Sequence, residues 1–176
     1  MVNSKYKIDP YEYTHHDQGG YCAFYRIFNS KNLAFKEFIS KSKAEYARKI
    51  QLKLSKYNLA PKICSKLCKV KYEKIFPGQK SGWGYITEIV KIVEKNSVSL
   101  SKVQKLVDNI YDKTKLKFWD CHWDNIGYIR VGGKKQLVCI DTGKETWEGH
   151  SNYFGNTDPG PKCAYCLKYR CECTGE

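Results

Sequence analysis

Side chains able to bind a cation and to accept a proton lie close together in the stretch KFWDCHWDNIGYIRVGGKKQLVCIDTG, residues 117–143. Asp120 and Asn125 precede one apolar segment, and Asp141 ends the next. Carboxylate and amide oxygens suit Mg²⁺, and a carboxylate can accept the proton of a reacting hydroxyl. The spacing therefore favours Asp120 as a base and Asn125 and Asp141 as metal ligands. The alternative is that these residues only cap turns, as Asp and Asn often do.

A predicted β-hairpin would bring the two metal ligands together. Gly132 and Gly133 separate the apolar segments and are typical of a two-residue turn. With these glycines as the turn, Asn125 lies opposite Ile140, the residue before Asp141. Both side chains then lie at the open end of the hairpin. The face of the hairpin to which each side chain points is not determined, because a register shift of one residue would reverse that face.

Upstream elements have to position this hairpin. Residues 21–38 predict two strands joined by a turn at 29–32. A helix is predicted from about Ser42, because Ser42 and Glu45 have the spacing of a capping box. Its apolar stripe comprises Ala47, Ile50, Leu54 and Tyr57. The helix should end before Pro61, because the residue preceding proline disfavours helical geometry.

A second strand and helix precede the hairpin. Residues 83–93 predict a buried strand that runs into a linker. A helix is predicted over about 101–113, with Ser101 and Gln104 as a second capping box. Its apolar residues recur at helical spacing: Val103, Leu106, Val107, Ile110 and Tyr111.

The motif DCHWDN followed by VCIDTG resembles the catalytic loop and the metal-binding loop of the protein-kinase-like fold. The Asp-x-His-x-x-Asn spacing is similar to that of aminoglycoside and choline phosphotransferases. The resemblance implies that Asp120 is the catalytic base and that His122 supports the loop or touches the γ-phosphate. It also implies that Asn125 and Asp141 bind Mg²⁺. Thr142 stands where Asp-Phe-Gly has its phenylalanine, so regulation by movement of that ring is not expected.

The resemblance extends to the segments that would bind ATP. LAFKEF is similar to the strand whose lysine holds the α- and β-phosphates, which implies that role for Lys36 and an orienting role for Glu45. On residue type alone, Lys36 could be a surface lysine and Glu45 a helix cap. HDQGGYC resembles a reduced glycine-rich loop, in which Gly19 and Gly20 would let the backbone approach a phosphate.

The segment YITEIV resembles the hinge strand, so backbone groups near Glu88 and Val90 would meet adenine. The implied fold class is α+β: a minimal bilobal protein-kinase-like fold with an antiparallel N-lobe sheet, a truncated C-lobe and a small C-terminal zinc-binding tail. The expected division is residues 1–93, 94–150 and 151–176. The chain has 176 residues, which leaves no room after the hairpin for a long activation segment or a large substrate lobe.

The tail CAYCLKYRCEC contains four of the nine cysteines. Cys163, Cys166, Cys171 and Cys173 could surround a structural Zn²⁺ ion, whose binding would supply folding energy. Free thiols or a redox pair are the alternative. Aromatic and basic residues alternate between these cysteines, which fits single-stranded nucleic acid or ordinary packing.

The charge of the chain favours a polyanionic partner. Lys and Arg number 31 against 18 acidic residues, a formal net charge of +13. Nucleotides, nucleic acid or an acidic protein fit this charge, although the spread of lysines and the scarcity of arginines make nucleic acid the less favoured partner. No apolar run is long enough for a membrane span and the N-terminus lacks a signal peptide. We therefore expect a cytoplasmic protein without a membrane partner, in the host cytoplasm if it is viral.

Two functions of different classes are compatible with these features. The first is an ATP- and Mg²⁺-dependent phosphotransferase that moves the γ-phosphate to a hydroxyl of a protein or a small molecule, its own Thr142 and Thr146 included. The alternative is a catalytically inactive kinase-like scaffold whose zinc module binds nucleic acid or a partner protein. The presence of all four of Lys36, Asp120, Asn125 and Asp141 favours the enzyme.

Overall fold

The structure of the protein is a computed structural model that describes residues 8–15, 22–27, 30–38, 40–71, 81–94, 97–121 and 123–148. These residues form two compact units. The first unit takes its residues from 1–52 and 62–89, and the second from 53–61 and from position 90 onward. The three-part division expected from the sequence stays a prediction.

The first unit contains a five-stranded antiparallel sheet. Its strands are β1 (Ile8–His15), β2 (Cys22–Ile27), β3 (Ser30–Phe38), β4 (Cys68–Lys71) and β5 (Ser81–Glu88). They lie in the order β1-β2-β3-β5-β4. The sequence predicted β2, β3 and most of β5 but neither β1 nor β4. The turn between β2 and β3 comes earlier than predicted, because Ile27 already pairs with Ser30.

Helix α1 (Lys41–Ser55) follows the third strand, and the serine that caps it is not the predicted one. The N–H of Lys43 donates to Ser40 Oγ at 3.3 Å, and the N–H of Ala44 donates to Ser40 O at 3.1 Å. Ser40 is therefore the N-cap, and the predicted capping box of Ser42 and Glu45 is wrong. The predicted stripe is buried at Ala47, Ile50 and Leu54, whereas Tyr57 lies beyond the helix and is exposed.

The core of the first unit forms between α1 and the sheet. Phe38, Ala44, Ala47 and Tyr85 make a buried cluster, and Trp83 packs against it. The register of β3 and β5 explains the cluster, because Phe38 lies opposite Trp83 and Lys36 opposite Tyr85. Directly opposed residues of an antiparallel pair share one face of the sheet. The lysine strand is therefore held by the packing of α1 on that face.

The second unit combines a three-stranded antiparallel sheet with helices. Its elements are β6 (Lys91–Ile92), α2 (Leu100–Thr114), a short 3₁₀ turn (Trp123–Asn125), β7 (Ile126–Val131), β8 (Lys134–Cys139) and α3 (Lys144–Glu148). The strands lie in the order β6-β7-β8. Helix α2 follows Ser99, whose side chain makes no capping hydrogen bond. The second predicted capping box is also wrong, since Gln104 donates to Asp108 at 2.8 Å instead.

The hairpin of β7 and β8 has the predicted register. Val131 pairs with Lys134 and Ile126 with Cys139. Gly132 and Gly133 have φ angles of +55° and +79°, the left-handed region that a two-residue turn of this kind requires. At Gly127, a Cβ atom would lie 2.9 Å from Val90 Cγ2 and 3.0 Å from Lys91 O. The close approach of β6 to β7 therefore needs glycine at this position.

Within the described part of the chain, no helix has both the length and the apolar character that crossing a membrane requires.

Candidate active site

The loop before β7 is closed by one buried amide. Asn125 is 6% exposed and ends the 3₁₀ turn. Its Nδ2 atom donates to Asp120 O at 2.8 Å and to Asp120 Oδ2 at 3.1 Å. These two hydrogen bonds span the loop and hold the Asp120 carboxylate beside the start of the strand. The Oδ1 atom of the same amide is the group that could bind a cation.

The hairpin brings Asp141 to the same end as Asn125, as predicted. The N–H of Ile140 donates to Asn125 O at 2.9 Å, which continues the ladder to the residue before Asp141. Ile126 and Cys139, the last paired residues, are both fully buried. The open end of the hairpin is therefore anchored in the core of the second unit, and both polar residues project from a fixed base.

The carboxylate of Asp141 is oriented at both of its oxygens. Oδ1 accepts the N–H of Gly143 at 2.8 Å, and Oδ2 accepts the hydroxyl of Thr146 at 2.6 Å. The backbone carbonyl of Asp141 accepts the indole N–H of Trp147 at 3.2 Å. Asp141 is thus fixed by its own loop and by α3.

Helix α3 also contacts the loop that carries Asp120. The carbonyl oxygen of Thr146 accepts the N–H of Trp119 at 3.1 Å and that of Asp120 at 3.4 Å. The rings of Phe118 and Trp147 stack with centroids 5.0 Å apart. One short helix therefore holds both loops of the candidate site.

The oxygen atoms offered here fit a Mg²⁺ ion. An ionised carboxylate has about four acceptor positions, so Asp141 can keep its two hydrogen bonds and still bind a cation. Together with Asn125 Oδ1 it would supply two ligands, and phosphate oxygens and water would complete the shell. Among the described residues, no group of three or more His, Cys, Asp and Glu side chains could hold a metal by itself.

Lys36 belongs to the first unit and is almost completely buried. It is 1% exposed, and its Nζ lies 5.6 Å from the centroid of the Phe38 ring. A lysine is buried to this degree only rarely, and then with partners for its charge. The alternative that Lys36 is a surface lysine is therefore wrong. Its action on the same nucleotide as the acids of the second unit stays a prediction.

Gln51 of α1 is hydrogen-bonded to residues of β5, the strand that pairs with the strand of Lys36. Its Oε1 accepts the hydroxyl of Tyr85, which lies opposite Lys36, at 2.9 Å, and its Nε2 donates to Thr87 Oγ1 at 2.6 Å. Glu45 instead pairs with Lys41 at 3.4 Å, and its side chain is 55% exposed. The orienting role of Glu45 stays a prediction.

Sequence reasoning missed Gln51, although a signal was present. Gln51 lies four residues after Ala47 and three before Leu54, and all three side chains are buried. A polar side chain on the inward stripe of an amphipathic helix must find a partner in the core. Glu45 lies off this stripe.

The segment predicted to meet adenine is partly engaged within the first unit. The N–H of Glu88 donates to Lys62 O at 3.0 Å, and the N–H of Ile89 donates to Asn32 O at 2.8 Å. The Glu88 carboxylate accepts the N–H of Lys62 at 3.0 Å. A ligand here would have to use other backbone groups, and the roles of Glu88 and Val90 stay predictions.

Two cysteines of the first unit have perturbed thiols. Partial burial raises the pKa of the Cys64 thiol, the Glu88 carboxylate raises it further, and Lys62 opposes the shift. Burial also raises the pKa of Cys68. Raised values leave both thiols largely protonated at neutral pH, so neither resembles an activated nucleophile.

The threonines considered as acceptors of phosphate are buried. Thr142 is 0% and Thr146 1% exposed. A hydroxyl must be reachable to accept a phosphoryl group, and that of Thr146 already donates to Asp141. Both positions are poor candidates for self-modification in this conformation.

Several predicted site residues lie outside the described residues. Gly19 and Gly20 fall between β1 and β2, which pair antiparallel. His122 lies between two described segments of the catalytic loop. The four tail cysteines, Cys163, Cys166, Cys171 and Cys173, also lie outside. The roles of these residues stay predictions.

No family model matches the chain, and no curated protein matches it. The structure is similar to that of the kinase PK-1 from the Cydia pomonella granulovirus, with a TM-score of 0.51 and 15% sequence identity. The match covers 80% of this chain and 54% of the viral one, so the chain spans about half the length of that kinase. The likeness does not test the resemblance to small-molecule phosphotransferases. Together with the two antiparallel sheets, it shows that the chain has a kinase-like fold.

Proposed function

We propose that the protein is an ATP- and Mg²⁺-dependent phosphotransferase that acts on a hydroxyl of a protein or a small molecule. The observation that supports this most strongly is the network that joins Asp120 to Asn125 and, through Thr146, to Asp141. A catalytic base and two oxygen ligands are what phosphoryl transfer requires at its acceptor side and its metal. The kinase-like fold supports the same reaction.

In the proposed reaction, the acceptor oxygen attacks the γ-phosphorus and its proton passes to the Asp120 carboxylate. The bond from the γ-phosphorus to the bridging oxygen breaks, and ADP leaves. Asn125 holds the carboxylate in place through the bond from Nδ2 to Oδ2. Bound at Asn125 and Asp141, Mg²⁺ would neutralise charge on the phosphates. Most of the rate enhancement in such a site comes from positioning and electrostatics.

The remaining roles follow the kinase resemblance. Lys36 would hold the α- and β-phosphates. Either Glu45 would orient it, or Tyr85 would, since Tyr85 lies opposite Lys36 and is itself held by a hydrogen bond to Gln51. Gly19 and Gly20 would cover the phosphates, and His122 would support the catalytic loop. We place the protein in the cytoplasm, that of the host if it is viral. We also propose a structural Zn²⁺ ion at the tail cysteines.

The proposal is tested by phosphate transfer from γ-labelled ATP in the presence of Mg²⁺. A cell lysate and a panel of small hydroxyl compounds serve as acceptors. The variant Asp120→Asn should transfer label at least about 100-fold more slowly, because a general base contributes a factor of about 10²–10⁴ to the rate. Asp124→Asn is the matched control, since Asp124 is an exposed acid of the same loop. Equal transfer by Asp120→Asn and the wild type would refute the role of Asp120.

One observation favours the inactive scaffold as a second candidate. Glu45, the acid expected to orient Lys36, is exposed and paired with Lys41. The buried side chain of α1 that bonds Tyr85, the residue opposite Lys36, is the neutral Gln51. The scaffold predicts no transfer to any acceptor, together with binding to nucleic acid or to a partner protein. Nucleic-acid binding should weaken steeply as salt rises, because counterions are released on association.

A further inference from the structure

We propose that Thr146 is a positioning residue, which sets the direction of the Asp141 carboxylate and the place of the Asp120 backbone at the same time. The proposal deepens the phosphotransferase function and rests on it. Thr146 lies outside both loops of the sequence motif and belongs to α3. Its predicted effect is on metal binding first and on the transfer rate as a consequence.

The side chain of Thr146 acts on Asp141. The hydroxyl donates to Oδ2 at 2.6 Å, and the residue is 1% exposed. A hydroxyl that donates to a carboxylate makes a short, charge-assisted hydrogen bond. Because the bond occupies one lone pair of Oδ2, it fixes which lone pair of that oxygen remains for a cation.

The main chain of Thr146 acts on Asp120. Its carbonyl oxygen accepts N–H groups from Trp119 and Asp120 at 3.1 and 3.4 Å. A displacement of Thr146 would therefore move the proposed base and the proposed metal ligand together. Trp147 braces this arrangement, since its ring stacks on Phe118 and its Nε1 donates to Asp141 O at 3.2 Å.

A purely structural role is the competing explanation. Asp141 could serve only to cap the start of α3, as aspartates before helices often do. Thr114 shows how a buried threonine behaves in such an ordinary role. Its hydroxyl donates to Ile110 O at 2.6 Å, inside its own helix. The hydroxyl of Thr146 instead donates to a residue outside its helix, Asp141, whose carboxylate is the metal ligand implied by the motif.

Removal of the Thr146 hydroxyl should weaken metal binding. Partners that orient metal ligands typically change affinity by about 10–100-fold when they are mutated. Thr146→Val keeps the shape of the side chain and loses the donor, whereas Thr146→Ser keeps the donor. Thr114→Val removes a buried threonine hydroxyl of the same unit that has no bond to Asp141.

The test uses the full chain and Mn²⁺ as the probe, with free Mn²⁺ followed by electron paramagnetic resonance. We expect Thr146→Val to raise the dissociation constant about 10–100-fold, while Thr146→Ser and Thr114→Val stay close to the wild type. In phosphate transfer, saturating Mg²⁺ should recover part of the activity of Thr146→Val. Thermal melting without metal measures loss of stability separately from loss of metal binding. Thr114→Val should lower the melting temperature without changing the affinity for Mn²⁺.

Two results would overturn the proposal, and they are distinguishable. If Thr146→Val binds Mn²⁺ as tightly as the wild type or more tightly, Thr146 does not orient Asp141, and the phosphotransferase function is unaffected. If the wild type neither binds Mn²⁺ nor transfers phosphate, the function proposed for the site fails and the role of Thr146 fails with it.

Discussion

At the scale of single residues, the two proposed metal ligands, Asn125 and Asp141, each have two fixed side-chain contacts. Asn125 donates twice to Asp120, and both carboxylate oxygens of Asp141 accept hydrogen bonds. Such contacts restrict a side chain to one rotamer before any ligand arrives. Preorganisation of this kind lowers the cost of placing charges when a phosphate binds.

The variant Asn125→Asp tests this arrangement with almost no change of shape. It replaces two donated hydrogen bonds by a carboxylate facing Asp120, and we expect a loss of about 1–3 kcal/mol in the free energy of unfolding at neutral pH. Two adjacent carboxylates raise the pKa of one of them in the folded state. The folded variant then holds a proton that the unfolded chain releases, so its deficit should be small near pH 4 and should grow as the pH rises.

Urea denaturation of the wild type and the variant at several pH values measures this difference. Asp124→Asn provides the control for a change of charge in the same loop. A deficit of Asn125→Asp that is constant from acidic to neutral pH would show that residue 125 does not face the Asp120 carboxylate.

At the scale of elements, the sequence predicted the hairpin register because two glycines specify it. The predicted helix starts lie within one residue of the observed ones, but both predicted capping boxes were wrong. Serines are closely spaced at both starts, and the position of the preceding residues decides which serine takes the N-cap position. In α1, the end of β3 at Phe38 places Ser40 at the cap. Gln51 was missed because its role depends on Tyr85 and Thr87, which the sequence cannot place beside the helix. The joint attachment of two loops to Thr146 was invisible for the same reason.

The turn of the hairpin provides a prediction at this scale. A Cβ atom at Gly133 would contact nothing within 4 Å, so crowding does not restrict the position. Its φ of +79° does, because a β-branched residue is strained in this region by about 1–2 kcal/mol. Gly133→Val should lower the free energy of unfolding by that amount, as measured by urea denaturation.

The matched control is Gly132→Asn, since asparagine is favoured at the first position of such a turn. We expect it to be nearly neutral. If Gly133→Val is as stable as Gly132→Asn, the turn does not have the left-handed geometry described for it. The register that brings Asn125 to Asp141 would then lose its support.

At the scale of the whole molecule, the chain has a kinase-like fold. The order of elements along the chain and the motif around Asp120 predicted this fold, and the likeness to the viral kinase PK-1 supports it. Substrate identity could not be predicted, because the acceptor is recognised by shape and charge that no motif in the sequence encodes. The tail chemistry rests on cysteine spacing alone.

The most direct test of the central claim is the Mg²⁺ dependence of phosphate transfer with Asp141→Asn. The wild type should transfer label from γ-labelled ATP to an acceptor only when Mg²⁺ is present. Asp141→Asn should lose at least about 100-fold of this activity, because one metal ligand loses its charge. Asp112→Asn, an exposed acid on α2, should keep it. Equal transfer by Asp141→Asn and the wild type would contradict the account, and so would a rate of transfer that does not depend on Mg²⁺.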